Sequence, residues 1–169
     1  MRFIFLFSLF FGVLSSKSQD NFSEKLMLMG NQFEITVVAE NKDSASVLIG
    51  LAVEEIKRIE SLISSWDKLS QTSLINRNAG LFAVKVDLEL YNLISRSIAI
   101  SQLTDGAFDI TFASMEGVWV FDGTMTSFPL KSEIEKFLSK VGYENIVLDD
   151  ENHTVFLKNK GMKISFGGI

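Results

Sequence analysis

The stretch Asn145-Ile146-Val147-Leu148-Asp149-Asp150-Glu151-Asn152-His153-Thr154-Val155-Phe156-Leu157 decides the fold. Two short β-prone runs, Asn145 to Leu148 and Thr154 to Leu157, flank an acidic turn, the pattern of a hairpin with a five-residue connection. The adjacent Asp149 and Asp150 and the single histidine, His153, read as turn residues rather than as a catalytic pair and its base. Further on, Met162, Ile164 and Phe166 alternate with Lys163 and Ser165, which predicts a last strand. Upstream, three helical patterns follow one another. The order strand, helix, helix, helix, strands indicates an α+β layer structure, a mixed or antiparallel sheet with flanking helices, rather than a doubly wound sheet.

The helices are legible from their apolar spacing. Ala45, Leu48, Ala52, Ile56, Ile59 and Ile63 form one stripe, with Asp43 or Ser44 as the expected cap. Leu90, Leu93, Ile94 and Ile98 form a second stripe behind the capping Asp87, ending near Thr104. Ile134, Phe137, Leu138 and Val141 form a third, introduced by Pro129 and stopped by Gly142. Before the first helix, Lys25 to Glu40 reads as extended, with Phe33, Ile35 and Val37 on one face and Met29-Gly30 as a bulge or close approach. The segment from Ser64 to Gly80 reads as a loop rich in serine and asparagine, and Val84 and Val86 as a short strand.

The chain has 169 residues, room for one domain with a core. Its net charge of −5 is spread along the chain, and no basic stripe offers a nucleic-acid surface. Cysteine is absent, which removes disulfides, thiol catalysis and sulfur-ligated metal. Residues 1–18 read as a secretory signal: Arg2, the apolar run Phe3 to Leu14, then Ser16-Lys17-Ser18 before a cut at Gln19. The apolar run is shorter than the roughly 20 residues that span a bilayer. The expected organisation is therefore a signal peptide, 1–18, followed by one domain, 19–169, exported to the periplasm or the periplasmic face of the inner membrane.

Phosphate-loop, dinucleotide-fold and nucleophile-elbow signatures are absent. Four other segments attract attention: Met29-Gly30-Asn31-Gln32-Phe33; Ser65-Trp66-Asp67 with Ser70-Gln71-Thr72-Ser73-Leu74-Ile75-Asn76; Thr104-Asp105-Gly106-Ala107-Phe108-Asp109-Ile110-Thr111; and Gly161-Met162-Lys163-Ile164-Ser165-Phe166-Gly167-Gly168-Ile169. Taken singly, each has a plain account as packing, turn or strand end. In this order, and with Trp119-Val120-Phe121 and Val141-Gly142-Tyr143 between them, they resemble the ApbE family, flavin transferases that attach FMN to proteins. The resemblance runs from about Leu28 to Ile169. Asn31 stands where the family has threonine and Gln71 where it has glutamate, both polar exchanges.

The resemblance implies an enzyme that binds FAD in a cleft with Mg²⁺ and moves FMN to a threonine or serine of a target protein, releasing AMP. It implies that Met29 and Trp66 line the flavin ring, and that Ala107, Phe108 and Asp109 line the dinucleotide cleft. It assigns no metal ligand and no catalytic residue within this chain, and membrane association only through the target. The chain stops inside the family's Gly-Gly-Ile-Ala-Lys-Gly motif, which implies a truncated copy or an incomplete gene sequence, with little or no transfer by this chain alone. The alternative expectation is a non-catalytic exported FAD-binding protein; a module with no ligand is the third.

Overall fold

The computed structural model describes residues 19–119 and 127–168. The signal segment, Val120 and Phe121 of the Trp119 motif, and Ile169 lie outside the described residues. The described chain forms two compact units, divided between Glu54 and Glu55. Among the described residues no helix is long and apolar enough to cross a membrane.

The first unit contains an antiparallel hairpin, β1 (Asp20–Leu28) and β2 (Asn31–Ala39), and the first turns of α1 (Lys42–Ile63). Phe33, Ile35, Val37 and Ala39 alternate with more exposed residues, as the sequence predicts. The single extended segment is corrected to two paired strands. Leu28 pairs with Asn31, so Met29-Gly30 is the two-residue hairpin turn and not a bulge. Both turn residues have positive φ, 51° and 72°, the signature of a primed turn whose twist matches the strands. Glycine accepts this conformation freely, whereas Met29 holds it against its own preference. The helix cap is also corrected: Asn41 Oδ1 accepts from Ser44 N at 2.9 Å, leaving Asp43 and Ser44 inside the helix.

The second unit is built on a three-stranded antiparallel sheet in the order β3 (Val84–Lys85), β5 (Thr154–Leu157), β4 (Ile146–Asp149). Asp149 pairs with Thr154, so the connection has four residues, Asp150 to His153, rather than five. α2 (Gln71–Arg77) lies against β5. α3 (Leu88–Leu103) turns Leu90, Tyr91 and Ile94 into a core with Ile75, Val155, Leu157, Met162 and Ile164. Each such side chain, buried fully, contributes on the order of 1.5–3 kcal/mol.

α3 starts where predicted, with Asp87 accepting from Glu89 N. α2 occupies the expected Ser/Asn loop; Ser70 caps it by accepting from Ser73 N at 3.0 Å. α4 (Lys131–Leu138) ends before Gly142, and Leu138 is exposed rather than buried. Gly142 instead opens a short 3-10 turn, Tyr143–Asn145, at φ 149°. A Cβ there would lie 2.6 Å from Glu144 Oε1.

The predicted last strand is the largest correction. Met162, Ile164 and Phe166 are buried, and the alternation is right. Among the described residues the segment nevertheless pairs with no strand. Side chains take the place of a neighbouring strand: Asn76 Nδ2 donates to Ile164 O at 2.9 Å, and Ile164 N donates to Asn76 Oδ1 at 2.8 Å. Ser114 Oγ accepts from Lys163 N at 2.9 Å, and Ser165 N donates to Ile110 O at 3.1 Å.

Candidate functional site

Two grooves of the second unit adjoin along residues 164–168. A groove of about 450 Å³ has Trp66, Lys68, Arg77 and Lys163 on its walls, with Asn76 and Ile164 among its lining. A second, of about 600 Å³, is lined by Gly106, Ala107, Phe108 and Asp109, with Leu138 and Gly167. Ala113 and Ser165 line both. The structure thus brings Trp66 and the Ala107-Phe108-Asp109 segment to neighbouring grooves. Met29 belongs to the first unit, at the hairpin turn, where it is partly buried.

The Trp66 loop is a chain of side-chain turns. Ser64 Oγ accepts from Trp66 N at 3.3 Å and from Asp67 N at 3.0 Å. Asp67 Oδ1 accepts from Leu69 N at 2.9 Å, and Ser70 Oγ donates back to Ser64 O. These bonds fix the backbone and leave the indole bare: Trp66 is 83% exposed. An exposed aromatic of this size on a groove wall is a ready stacking surface for a planar ring.

The Gly106 segment is fixed in the opposite way. Asp105 and Gly106 both have positive φ, and Gly106 N donates to Ser101 O at 2.8 Å, which turns the chain sharply off α3. Asp109 then caps a 3-10 helix, Ile110–Met115. Its Oδ1 accepts from Thr111 N at 2.8 Å and from Thr111 Oγ1 at 2.7 Å, and its Oδ2 from Tyr143 N at 2.9 Å. Thr111 Oγ1 in turn accepts from Gly142 N at 2.8 Å. Asp109 therefore ties the Gly106-Ala107-Phe108 wall to the Val141-Gly142-Tyr143 turn. Of the roughly four lone-pair positions a carboxylate offers, three are spent inside the chain.

Several residues of the site escape the sequence reading. Ser114, buried, donates toward Lys140 O and Lys163 O while accepting from Lys163 N. Asn76 and Ser114 together hold the ridge between the grooves. A buried serine inside an apolar run is the one trace such a residue leaves in sequence. Gln71, the polar exchange noted above, accepts from Asp87 N at 2.7 Å and so joins the starts of α2 and α3. His153 is not a free turn residue; its ring packs on Tyr91 with centroids 5.4 Å apart. Tyr91 Oη donates to Asp150, so these turn residues serve the hairpin. For the implied magnesium, no group of three or more His, Cys, Asp or Glu converges as a metal site among the described residues. They do not fit the ion, and none is assigned to it.

Known proteins match this chain over most of its length. The chain is 28% identical over 148 residues to a Klebsiella pneumoniae protein named FAD:protein FMN transferase, covering 88% of this chain and 46% of that protein. A Buchnera aphidicola protein of the same name is 27% identical over 172 residues, covering 98% of this chain and 49% of its own. The crystal structure of the ApbE protein of Thermotoga maritima superposes with a TM-score of 0.75 at 32% identity, over 89% of this chain and 48% of that one. The chain thus spans about half the length of the curated relatives it matches. A sequence model of the ApbE family matches residues 29–169, from the hairpin turn through both grooves. With its α+β fold and a family match that spans residues 29–169, this chain belongs to the ApbE family.

Proposed function

We propose that this protein is an FAD:protein FMN transferase. The observation that carries the reading is the adjacency of the Trp66 groove and the Ala107-Phe108-Asp109 groove within the family match. In this reading FAD is the substrate and a protein bearing an acceptor threonine or serine is the partner. The acceptor hydroxyl oxygen bonds to the phosphorus on the FMN side, the bond to the AMP oxygen breaks, and AMP leaves. The hydroxyl proton goes to solvent. Transfer to phosphorus depends mainly on positioning and charge neutralisation; Mg²⁺, when bound, would supply the latter, and no described residue is assigned to hold it.

The chain's own part is to bind and orient. Trp66 presents its ring face to the isoalloxazine; for Met29, in the first unit, a polarisable thioether suits a flavin contact. Ala107 and Phe108 form the wall along which the dinucleotide lies. Asp109 holds that wall through Thr111 and Tyr143, with one lone-pair position left for a ligand donor. Export, with residues 1–18 removed, completes the proposal.

Incubation with FAD, Mg²⁺ and an acceptor domain, followed by intact mass measurement, tests the reading. The family reaction gives an acceptor heavier by one FMN; for this chain alone, in which no metal-ligand cluster converges among the described residues, little or no such product is expected. Ready formation of that product would overturn this expectation, and no FAD binding at all would overturn both the transferase reading and the alternative of a non-catalytic exported flavin binder. N-terminal sequencing of the secreted protein should begin at Gln19.

A further inference from the structure

We infer that the Trp66 groove is an anion site, in which Lys68, Arg77 and Lys163 receive a phosphate-bearing part of the ligand. This deepens the flavin-transfer reading by assigning the residues that meet phosphate, and it rests on that reading only for the identity of the ligand.

The charge on the groove runs against that of the chain. The protein carries −5 overall, yet this groove is lined by three cations, Lys68, Arg77 and Lys163, against one carboxylate, Glu116. The adjoining groove has Asp109 as its charged lining residue. The two grooves therefore differ in sign, and the positive one is the natural place for phosphate.

The polar groups of the groove also divide into spent and unspent. Asn76 uses its amide on both backbone groups of Ile164. Ser65 and Ser165 hydroxyls meet each other at 3.3 Å, and Ser73 Oγ reaches Ser64 O at 3.4 Å. The neutral lining is thus satisfied within the chain and has little to offer a ligand. Arg77 and Lys163 are only partly engaged. Arg77 places one guanidinium nitrogen on the Lys68 carbonyl, which orients it and leaves its remaining N–H groups available. Lys163 Nζ lies 2.6 Å from Glu116 Oε2, with both side chains about half exposed, 46% and 48%. A pair this accessible to water is held weakly, so an anion can take the ammonium from Glu116 at small cost. What the groove asks of a ligand is negative charge beside a planar ring that can lie on Trp66. A flavin or adenine nucleotide has both, and free pyrophosphate has the first alone.

The test uses the full chain and the variants Lys163→Gln, Lys68→Gln and Arg77→Gln, with a thermal melt to show that each is folded. Tryptophan fluorescence is titrated with pyrophosphate, and flavin fluorescence is followed with FAD and with riboflavin, which has no phosphate. We expect each substitution to weaken pyrophosphate and FAD by about tenfold, the value of one lost charge-assisted contact, with riboflavin within about twofold. Affinity for the two anions should also fall steeply with salt. Equal weakening of FAD and riboflavin would overturn the anion site, as would pyrophosphate binding that ignores all three substitutions. FAD binding without any pyrophosphate response or variant effect would overturn it while leaving the flavin reading intact. Pyrophosphate binding that the variants abolish, with no affinity for FAD, would do the reverse. Because Arg77 also supports the Lys68 carbonyl, the Lys163→Gln result decides if Arg77→Gln fails to fold.

Discussion

The Trp66 loop and the Asp109 loop are both motif segments, yet they use their key side chains in opposite senses. Around Trp66 the polar neighbours Ser64, Asp67 and Ser70 hold the backbone, and the aromatic itself is left bare. Around Asp109 the key side chain is the one that does the holding, through Thr111 and Tyr143. One motif displays a contact surface; the other builds a wall. A shared motif therefore does not imply a shared role, and stability and ligand affinity should separate the two loops cleanly.

The largest effect is expected at Asp109. Asp109→Ala removes the acceptor of three hydrogen bonds and strands Tyr143 N, which should cost about 2–4 kcal/mol in a urea unfolding midpoint. Asp109→Asn should recover part of this, because an amide oxygen still accepts. Unchanged stability with lost FAD affinity would break the comparison and make Asp109 a ligand contact. Next is Asn76→Ala, which leaves both backbone groups of Ile164 without partners and should cost about 2 kcal/mol. Its effect should reach both grooves, since Ile164 lines one and the adjacent Ser165 lines both. Trp66→Ala is the sharpening case. Its side chain is exposed, so stability should stay within about 0.5 kcal/mol while flavin affinity falls about tenfold.

How much of this was legible in sequence follows from the kind of interaction involved. The hairpin at 146–157, α3 with its Asp87 cap, and the alternation of Met162, Ile164 and Phe166 rest on apolar period and local capping, which a single sequence displays. The pairing of the last segment was not legible, because its partners are Asn76 and Ser114, distant in sequence and ordinary in composition. α2 was hidden for a related reason: Gln71, Thr72, Ser73 and Asn76 look like loop residues, and their burial or bonding is tertiary. The Met29-Gly30 turn is hard to tell in sequence from a bulge or close approach, because methionine is a poor residue for positive φ. The motif order located Trp66 and Asp109, but sequence alone does not say which of two polar neighbours displays and which holds. The cations Lys68, Arg77 and Lys163 share a groove without sharing any sequence pattern.

The smallest expected effect extends the comparison to the 146–157 hairpin, where two carboxylates hold a turn as Asp109 holds a wall. Asp149 sits below its usual pKa of 3.8, first through the Asn152 side chain and then through the Asn152 and Glu151 N–H groups. Its folded form therefore prefers the charged state, and that contribution is present above pH 3.8 and lost as pH falls through the lower folded value. Tyr91 is pushed up from 10.0 to about 12, first by burial and then by its bond to Asp150. The unfolded chain releases this proton from about pH 10 upward while the folded chain keeps it, so stability should decline from pH 10 to about 12. Thermal melts across the two limbs should show both losses. Tyr91→Phe should flatten the alkaline limb and leave the acid limb in place, whereas Asn152→Ala should weaken only the acid limb. If Tyr91→Phe altered both limbs equally, the phenol and Asp149 would belong to one coupled network, and the turn would be held as a unit rather than by separable carboxylates.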